Sequence, residues 1–219
     1  MSAHLDHVVC ICADLERGSA WFAARTGVEP RYGGLHSTGL THNAILGLGA
    51  KCYLEILAPA GRSGLNDNEW ARLARAAAEP SVLTYCLRVT RPLAELGRAM
   101  EVRGWKGTQL IDGGRAQPDG VQLCWQSLIP TVEPFGFAFP FFIDWLESPH
   151  PADLLYPVQA GAGLRLDSFA VGHPQAGALA QRLAQLRCPI DTYLAPATQF
   201  RLRLATPRGA VELATQSSQ

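Results

Sequence analysis

The order strand, helix, strand, strand, strand occurs three times along this chain of 219 residues, and that repeat constrains the fold more than any other feature. His4 to Cys12 reads as a strand, and Asp14 is placed to cap a helix running to about Arg25, which Gly27 ends. Extended pieces follow at 30–35, 41–47 and 51–58, with "GG", "TG" and "LGLGAK" as turn signals. "NDNEWARLARAAAEP" then reads as a linking helix that starts at Asn66 or Asp67. The order recurs with "SVLTYCLRV" as strand and "RPLAELGRAMEVRG" as helix, then strand-like pieces at 107–111, 121–129 and 138–146. After the Pro- and Gly-rich link "SPHPADLLYPVQAGAG" it recurs again: "LRLDSFAVG", "HPQAGALAQRLAQLR", "IDTYLA", "QFRLRLA" and "AVELAT". Local echoes agree with the repeat, "LDHVV" with "LDSFA" and "YLEILA" with "AVELAT".

A repeat of this kind predicts an α+β fold of βαβββ modules. Two of them fill residues 1–150 and a third occupies 151–219. Nineteen basic and nineteen acidic side chains balance, so no global field favours nucleic acid or an anionic membrane. No segment approaches the ~20 apolar residues a bilayer span needs, and the N-terminus lacks a signal pattern. The six cysteines form no C-x-x-C pair and read as small reduced residues, which points to the cytoplasm.

Strand alternation sorts the side chains by face. Val8, Cys10 and Cys12, like Leu54 and Ile56, make wholly apolar sides suited to covering helices. His7 and Glu55 therefore fall together on the concave side. A buried carboxylate there must be paired, protonated or metal-bound, so this pair reads either as a His–Glu hydrogen bond or as a metal site. In the second module, Thr84, Cys86 and Arg88 point inward by the same count, and Asp144 falls with Phe142 and Leu146 where Glu55 falls in the first. An inward Arg88 calls for a carboxylate or phosphate, from the protein or a ligand. His36 and His42, in "YGGLHSTGLTHNAILGLG", read as exposed turn residues or as polar groups beside a ligand. Asn43 is placed to donate to a substrate carbonyl or to cap the turn.

With these residues in view, the chain resembles the vicinal oxygen chelate superfamily and, within it, the glyoxalase-like domain proteins. The resemblance rests on "LDHVV…ADLERGSAWFAARTG", "GGLHSTGLTHNAILGLGAKCYLEILAP", "CLRV" and "PFFIDW", over residues 4–147. It implies paired βαβββ modules whose sheets curl into an open, barrel-like cleft over residues 1–150, with a third, degenerate module at 151–219 that packs on it or serves dimerisation. In metal-dependent members a His on a module's first strand and a Glu on its last bind a divalent ion. Here the first half matches with His7 and Glu55. The second half offers Thr84 and Asp144, and the third module Ser168 and Glu212.

The expectation is a small-molecule enzyme of lyase, isomerase or dioxygenase type. His7, Glu55 and Asp144 would hold a divalent ion (Zn, Mn, Fe or Ni), with Glu55, His36 and Arg88 acting in the chemistry. Arg88, Asn43, His42, Tyr53, Trp125 and Phe142 would contact an anionic or aromatic substrate. The alternatives are a metal-free protein that binds or sequesters a small molecule in the same cleft, and a structural subunit whose cleft its own side chains fill; a homodimer is open to each.

Overall fold

The computed structural model describes residues 2–61, 68–159, 162–188 and 190–214, with the side chains of 156–158 outside the description. The first module is β1 (Ala3–Ile11), α1 (Leu15–Thr26), β2 (Arg31–His36), β3 (Thr41–Gly49) and β4 (Cys52–Pro59). Asp14 caps α1 by accepting from the Arg17 amide at 2.8 Å, and Gly27 closes it in the left-handed conformation. The linking helix α2 (Glu69–Ala76) starts behind Asn68, whose side chain accepts from the Ala71 amide at 2.9 Å. The expected caps Asn66 and Asp67 lie outside the described residues.

The second module is β5 (Ser81–Val89), α3 (Leu93–Val102), β6 (Lys106–Ala116), β7 (Gln122–Val132) and β8 (Phe141–Asp144). Here β6 is longer than the sequence suggests and β8 shorter: a 3-10 turn ends at Ala138, and the strand runs from Phe141 to Asp144 only. The Pro- and Gly-rich link contains a helix, α4 (Pro151–Gln159), with Pro151 at its first position where the missing N–H costs nothing. The third module follows as β9 (Arg165–His173), α5 (Ala176–Gln185), β10 (Asp191–Leu194), β11 (Gln199–Thr206) and β12 (Gly209–Ala214).

Eight strands form a barrel in the order β1-β4-β3-β2-β6-β7-β8-β5, and β5 returns to β1. The seam between β2 and β6 is the narrowest, with two paired positions, Leu35↔Ala116 and His36↔Arg115. Gly34 makes that seam fit: its φ is 134° and a Cβ there would strike the Ala116 carbonyl. The modules meet at β1 and β5, which run antiparallel with His7↔Cys86 and Val9↔Thr84. That register makes Thr84 the counterpart of His7 and Cys86 the counterpart of Val9. Within each module the first and last strands run parallel, with Val9↔Glu55 in one and Cys86↔Phe141 in the other. The counterpart of Glu55 is therefore Phe141.

A bulge breaks the alternation in β1. Its pairing passes from Leu5↔Leu87 to His7↔Cys86, two steps against one. Leu5 and Val8 pack into the outer core, while Asp6 and His7 both turn into the barrel. The linking helices stop the two ends of the barrel. Ala152 and Leu155 of α4 join Tyr53, Cys86 and Trp145 at one end. Ala74, Trp70 and Leu73 of α2 join Val9, Ile11 and Leu57 at the other.

Outside the barrel, the sheet β10-β9-β11-β12 lies against β5. The Tyr85 and Phe169 rings meet at 5.1 Å, and Phe169, Phe200 and Leu202 share one core with Val8, Phe22 and Phe142. Among the described residues, no helix is long and apolar enough to cross a membrane.

Candidate active site

The barrel holds a cavity of about 220 Å³ between the two apolar stoppers. Trp70, Trp125, Trp145 and Phe141 form its walls, and exposed Ser37, Thr38, Asn68 and Asp112 stand at its mouth. In its middle lie five polar side chains, His7, His36, Asn43, Glu55 and Arg115, which four strands of the first module and β6 bring together.

A directed chain joins three of them. Arg115 Nη1 donates to Asn43 Oδ1 at 2.5 Å, and Asn43 Nδ2 donates to Glu55 Oε1 at 2.5 Å. A cation on one side and a carboxylate on the other fix the orientation of the Asn43 amide. The second Nδ2 hydrogen points to His36 Nε2 at 3.4 Å, which makes that nitrogen an acceptor and lets His36 Nδ1–H donate to the Thr41 hydroxyl at 2.7 Å. Burial lowers the His36 pKa below its ordinary 6.5, against an opposite pull from Glu55 and with help from Arg115. The ring is therefore neutral at pH 7, in agreement with its hydrogen bonds.

Gly33 is the reason this chain fits. A Cβ at that position would overlap both Arg115 Nη1 and Asn43 Oδ1. Arg115 is 3% exposed, yet its Nη2 has no hydrogen-bond partner. An orphaned buried donor costs about 1–3 kcal/mol, and more when charged.

His7 belongs to a second network centred on Asp6, which is fully buried. Asp6 accepts from His7 Nδ1 at 2.8 Å, from Trp145 Nε1 at 3.2 Å and from His150 Nε2 at 3.1 Å. The tautomer of His150 follows from its other nitrogen, which accepts from the Ala152 amide at 3.1 Å. Burial alone would raise the Asp6 pKa, but the bonds from His150 and His7 outweigh it and hold the carboxyl at about 2. An ionised Asp6 keeps the His7 proton on Nδ1. His7 Nε2 then faces Glu55 Oε2 across 3.9 Å, and His36 Nε2 lies 3.6 Å from Glu55 Oε1. Tyr53 stacks on the His7 ring at 4.6 Å, and its hydroxyl is pushed far above its ordinary pKa by burial.

Of the residues expected at the site, His7, Glu55, His36, Asn43, Tyr53 and Trp125 line the cavity. Four do not. His42 alternates with Asn43 and faces an outer groove beside Tyr32. Phe142 is fully buried in the outer core. Asp144 shares the side of Phe142, where its Oδ1 accepts from the Leu146 amide at 3.0 Å, because pairing with β5 turns Phe141 and Ile143 inward instead. Arg88 lies near the α4 end, donating to the Lys51 carbonyl at 3.3 Å and standing 3.8 Å from Asp6 Oδ2, neither of which is Glu55 or Asp144.

Sequence reasoning missed the roles of Asp6, Thr41, Arg115, Trp145 and His150. The pair Gly113–Gly114 just before Arg115 was a usable signal, since Gly113 leaves room for the Trp125 indole. The bulge at Asp6 and the helix that brings in His150 had none.

The divalent centre implied by the resemblance needs an imidazole and a carboxylate from each module. The first supplies His7 and Glu55. The second supplies Thr84, whose hydroxyl donates to the Phe137 carbonyl at 3.0 Å, and Phe141, whose ring meets His7 edge-on at 5.5 Å. His36 approaches from β2, toward a Glu55 oxygen that already takes the Asn43 amide. Among the described residues, no group of three or more His, Cys, Asp or Glu side chains is arranged to hold a metal ion. The donor set thus does not fit a paired-module chelate, and no step below is routed through one.

A family model described as a glyoxalase-like domain matches residues 5–187. No match was found among curated proteins. Among solved structures, a hypothetical protein from Staphylococcus aureus superposes with a TM-score of 0.63 at 14% identity, over 97% of this chain and 85% of that one. A methylmalonyl-CoA epimerase from Mycobacterium tuberculosis gives 0.42 at 17% identity, over 64% and 84% of the two chains. One from Streptomyces coelicolor, in complex with 2-nitronate-propionyl-CoA, gives 0.47 at 16% identity, over 68% and 100%. At 14% identity the Staphylococcus aureus structure speaks to fold alone. The twofold-related βαβββ modules and a family match across most of the sequence agree: this chain belongs to the glyoxalase-like domain family.

Proposed function

We propose that this protein is a small-molecule enzyme of isomerase or lyase type that moves a proton at a carbon beside a carbonyl, using its own side chains as acid and base. One observation carries the reading: a buried carboxylate, Glu55, lies between two imidazoles inside a cavity, 3.9 Å from His7 Nε2 and 3.6 Å from His36 Nε2. Two titratable groups held in a desolvated pocket by fixed hydrogen bonds are the arrangement that proton transfer requires. Glu55 Oε1 is held by Asn43, so Oε2 is the oxygen placed to take a proton. His7, kept by Asp6 with its own proton on Nδ1, presents an unprotonated Nε2 to the same space. The proton taken by Glu55 Oε2 is therefore the one returned to the neighbouring atom, from Glu55 itself or relayed through that Nε2.

The test is solvent-deuterium incorporation followed by proton NMR over a panel of small 2-oxo acids, their neutral esters and β-diketones. At least one should exchange faster than in buffer, and Glu55→Gln should slow it by about 10²–10⁴-fold, the usual share of a general base. A panel with no accelerated member sinks the proposal. Dialysis against Zn, Mn or Ni, followed by elemental analysis, addresses the metal reading. The wild type should retain well under one equivalent; a full equivalent lost on His7→Ala would restore a metal centre. A second function, metal-free sequestration of an aromatic ligand, draws support from the indoles of Trp70, Trp125 and Trp145 around the cavity. It predicts ligand binding with no exchange.

A further inference from the structure

We infer that Arg115 is the anchor for a small carboxylate ligand, docked on the unpartnered Nη2 edge of its guanidinium. The inference builds on the reading of the cavity as a substrate site and names the class of molecule that enters it. Arg115 lines the cavity, is 3% exposed, and keeps its charge at any relevant pH. Among the described residues no ion pair includes it, since Asn43 stands between it and Glu55. Of its two terminal nitrogens, Nη1 is spent on Asn43, and Nη2 is buried with no acceptor. Two glycines allow this placement. Gly33 leaves the space that the guanidinium and the Asn43 amide occupy, and Gly34 lets β2 meet β6 at the pair His36↔Arg115. A buried cation that a fold accommodates this carefully, and leaves half-satisfied, awaits an acceptor from outside.

The charge balance limits the anion to a single negative charge. Asp6 and Glu55 carry one negative charge each inside the barrel, and Arg115 with Arg88 carries two positive charges, Arg88 standing 3.8 Å from Asp6. A monoanionic carboxylate answers the single free edge of Arg115, whereas a phosphate dianion would bring a second charge toward Glu55 with no cation to meet it. The body of the ligand is apolar and flat, because Trp125 and Trp145, whose rings stand 5.4 Å apart, flank the polar centre in a cavity of about 220 Å³. Arg88, the arginine expected from the sequence to hold an anion, points elsewhere and already has partners.

The test compares phenylacetate with phenylacetamide, which match in shape and differ in charge, by quenching of the cavity tryptophans and by calorimetry on the intact chain. The wild type should bind the acid at least tenfold more tightly than the amide. Arg115→Gln should erase that preference, and Arg115→Lys should keep part of it. Circular dichroism and melting report whether each variant folds, and the acid–amide comparison on the wild type needs no variant at all. Equal binding of acid and amide, or a preference that survives Arg115→Gln, overturns the inference. The two proposals fail separately. Acid selectivity without deuterium exchange removes the chemistry and leaves the anchor; exchange without acid selectivity removes the anchor alone.

Discussion

The two halves of the barrel have the same backbone and different interiors. At matching positions the first module carries His7 and Glu55, and the second carries Thr84 and Phe141. The first half spends these positions on titratable groups, which it holds with Asp6 and Asn43. The second half spends them on a hydroxyl tied to a backbone carbonyl and on a ring that packs against His7. The lesson is that fold symmetry does not carry chemistry with it. An acid on one side of the pseudo-twofold axis has a wall opposite it, and a wall excludes water and strengthens the charges it faces.

The largest effect should come from swapping chemistry at the matched positions. Glu55→Gln should cost deuterium exchange about 10²–10⁴-fold, while Phe141→Leu, at the counterpart position, should stay within tenfold. Equal losses would mean that the asymmetry lies elsewhere. A second contrast separates inside from outside on β8. Phe142→Ala should destabilise the fold by about 3–5 kcal/mol in urea unfolding, as a fully buried ring does, and Asp144→Asn should leave acid–amide selectivity unchanged. A loss of selectivity with Asp144→Asn would place that carboxylate back in the cavity.

Acid should weaken the first half before the second. The Asp6 carboxyl sits at about 2 in the fold, below its ordinary 3.8. A depressed acid contributes its stabilisation above its unfolded value and loses it as pH falls through the folded one, so about 2 kcal/mol present at neutral pH should fade between about pH 4 and pH 2. Asp6→Asn should flatten that part of the urea-midpoint profile; an unchanged profile would remove Asp6 as its source. The smallest effect is chemical. Cys124 on β7 is exposed, whereas Cys10 on β1 and Cys12 just beyond it are buried and the Cys12 thiol is pushed up to about 12 by burial. Iodoacetamide at neutral pH should label Cys124 first and leave Cys10 and Cys12 intact by mass spectrometry; early labelling of Cys12 would contradict its packing against α1.

Much of the fold was legible because it is local. Alternation along β1 and β4 separated Val8, Cys10, Leu54 and Ile56 from His7 and Glu55, and capping residues marked α1. The same alternation, applied strictly to β3, admits Asn43 to the interior and excludes its neighbour His42, so that error was avoidable. The misplacement of Asp144 was of another kind. Which residue of "FPFFIDW" faces inward depends on where β8 begins and how it pairs with β5, and these strands lie more than fifty residues apart. Arg115 was hidden because β6 runs past its expected end, and His150 because a helix begins at a proline in a segment that reads as a link.

By itself, then, the sequence determined the three modules, the helix ends and the polar pair on the first and last strands of module one. Each of these depends on residues close together in the chain, where periodicity and capping act. Only the tertiary structure decided that Asp6 joins His7 inside, that Phe141 rather than an acid stands opposite Glu55, and that Arg115 reaches Asn43. Those outcomes are set by strand register, a bulge and helix docking, in which the competing arrangements differ by the burial of whole faces contributed by distant segments. No local pattern encodes that difference.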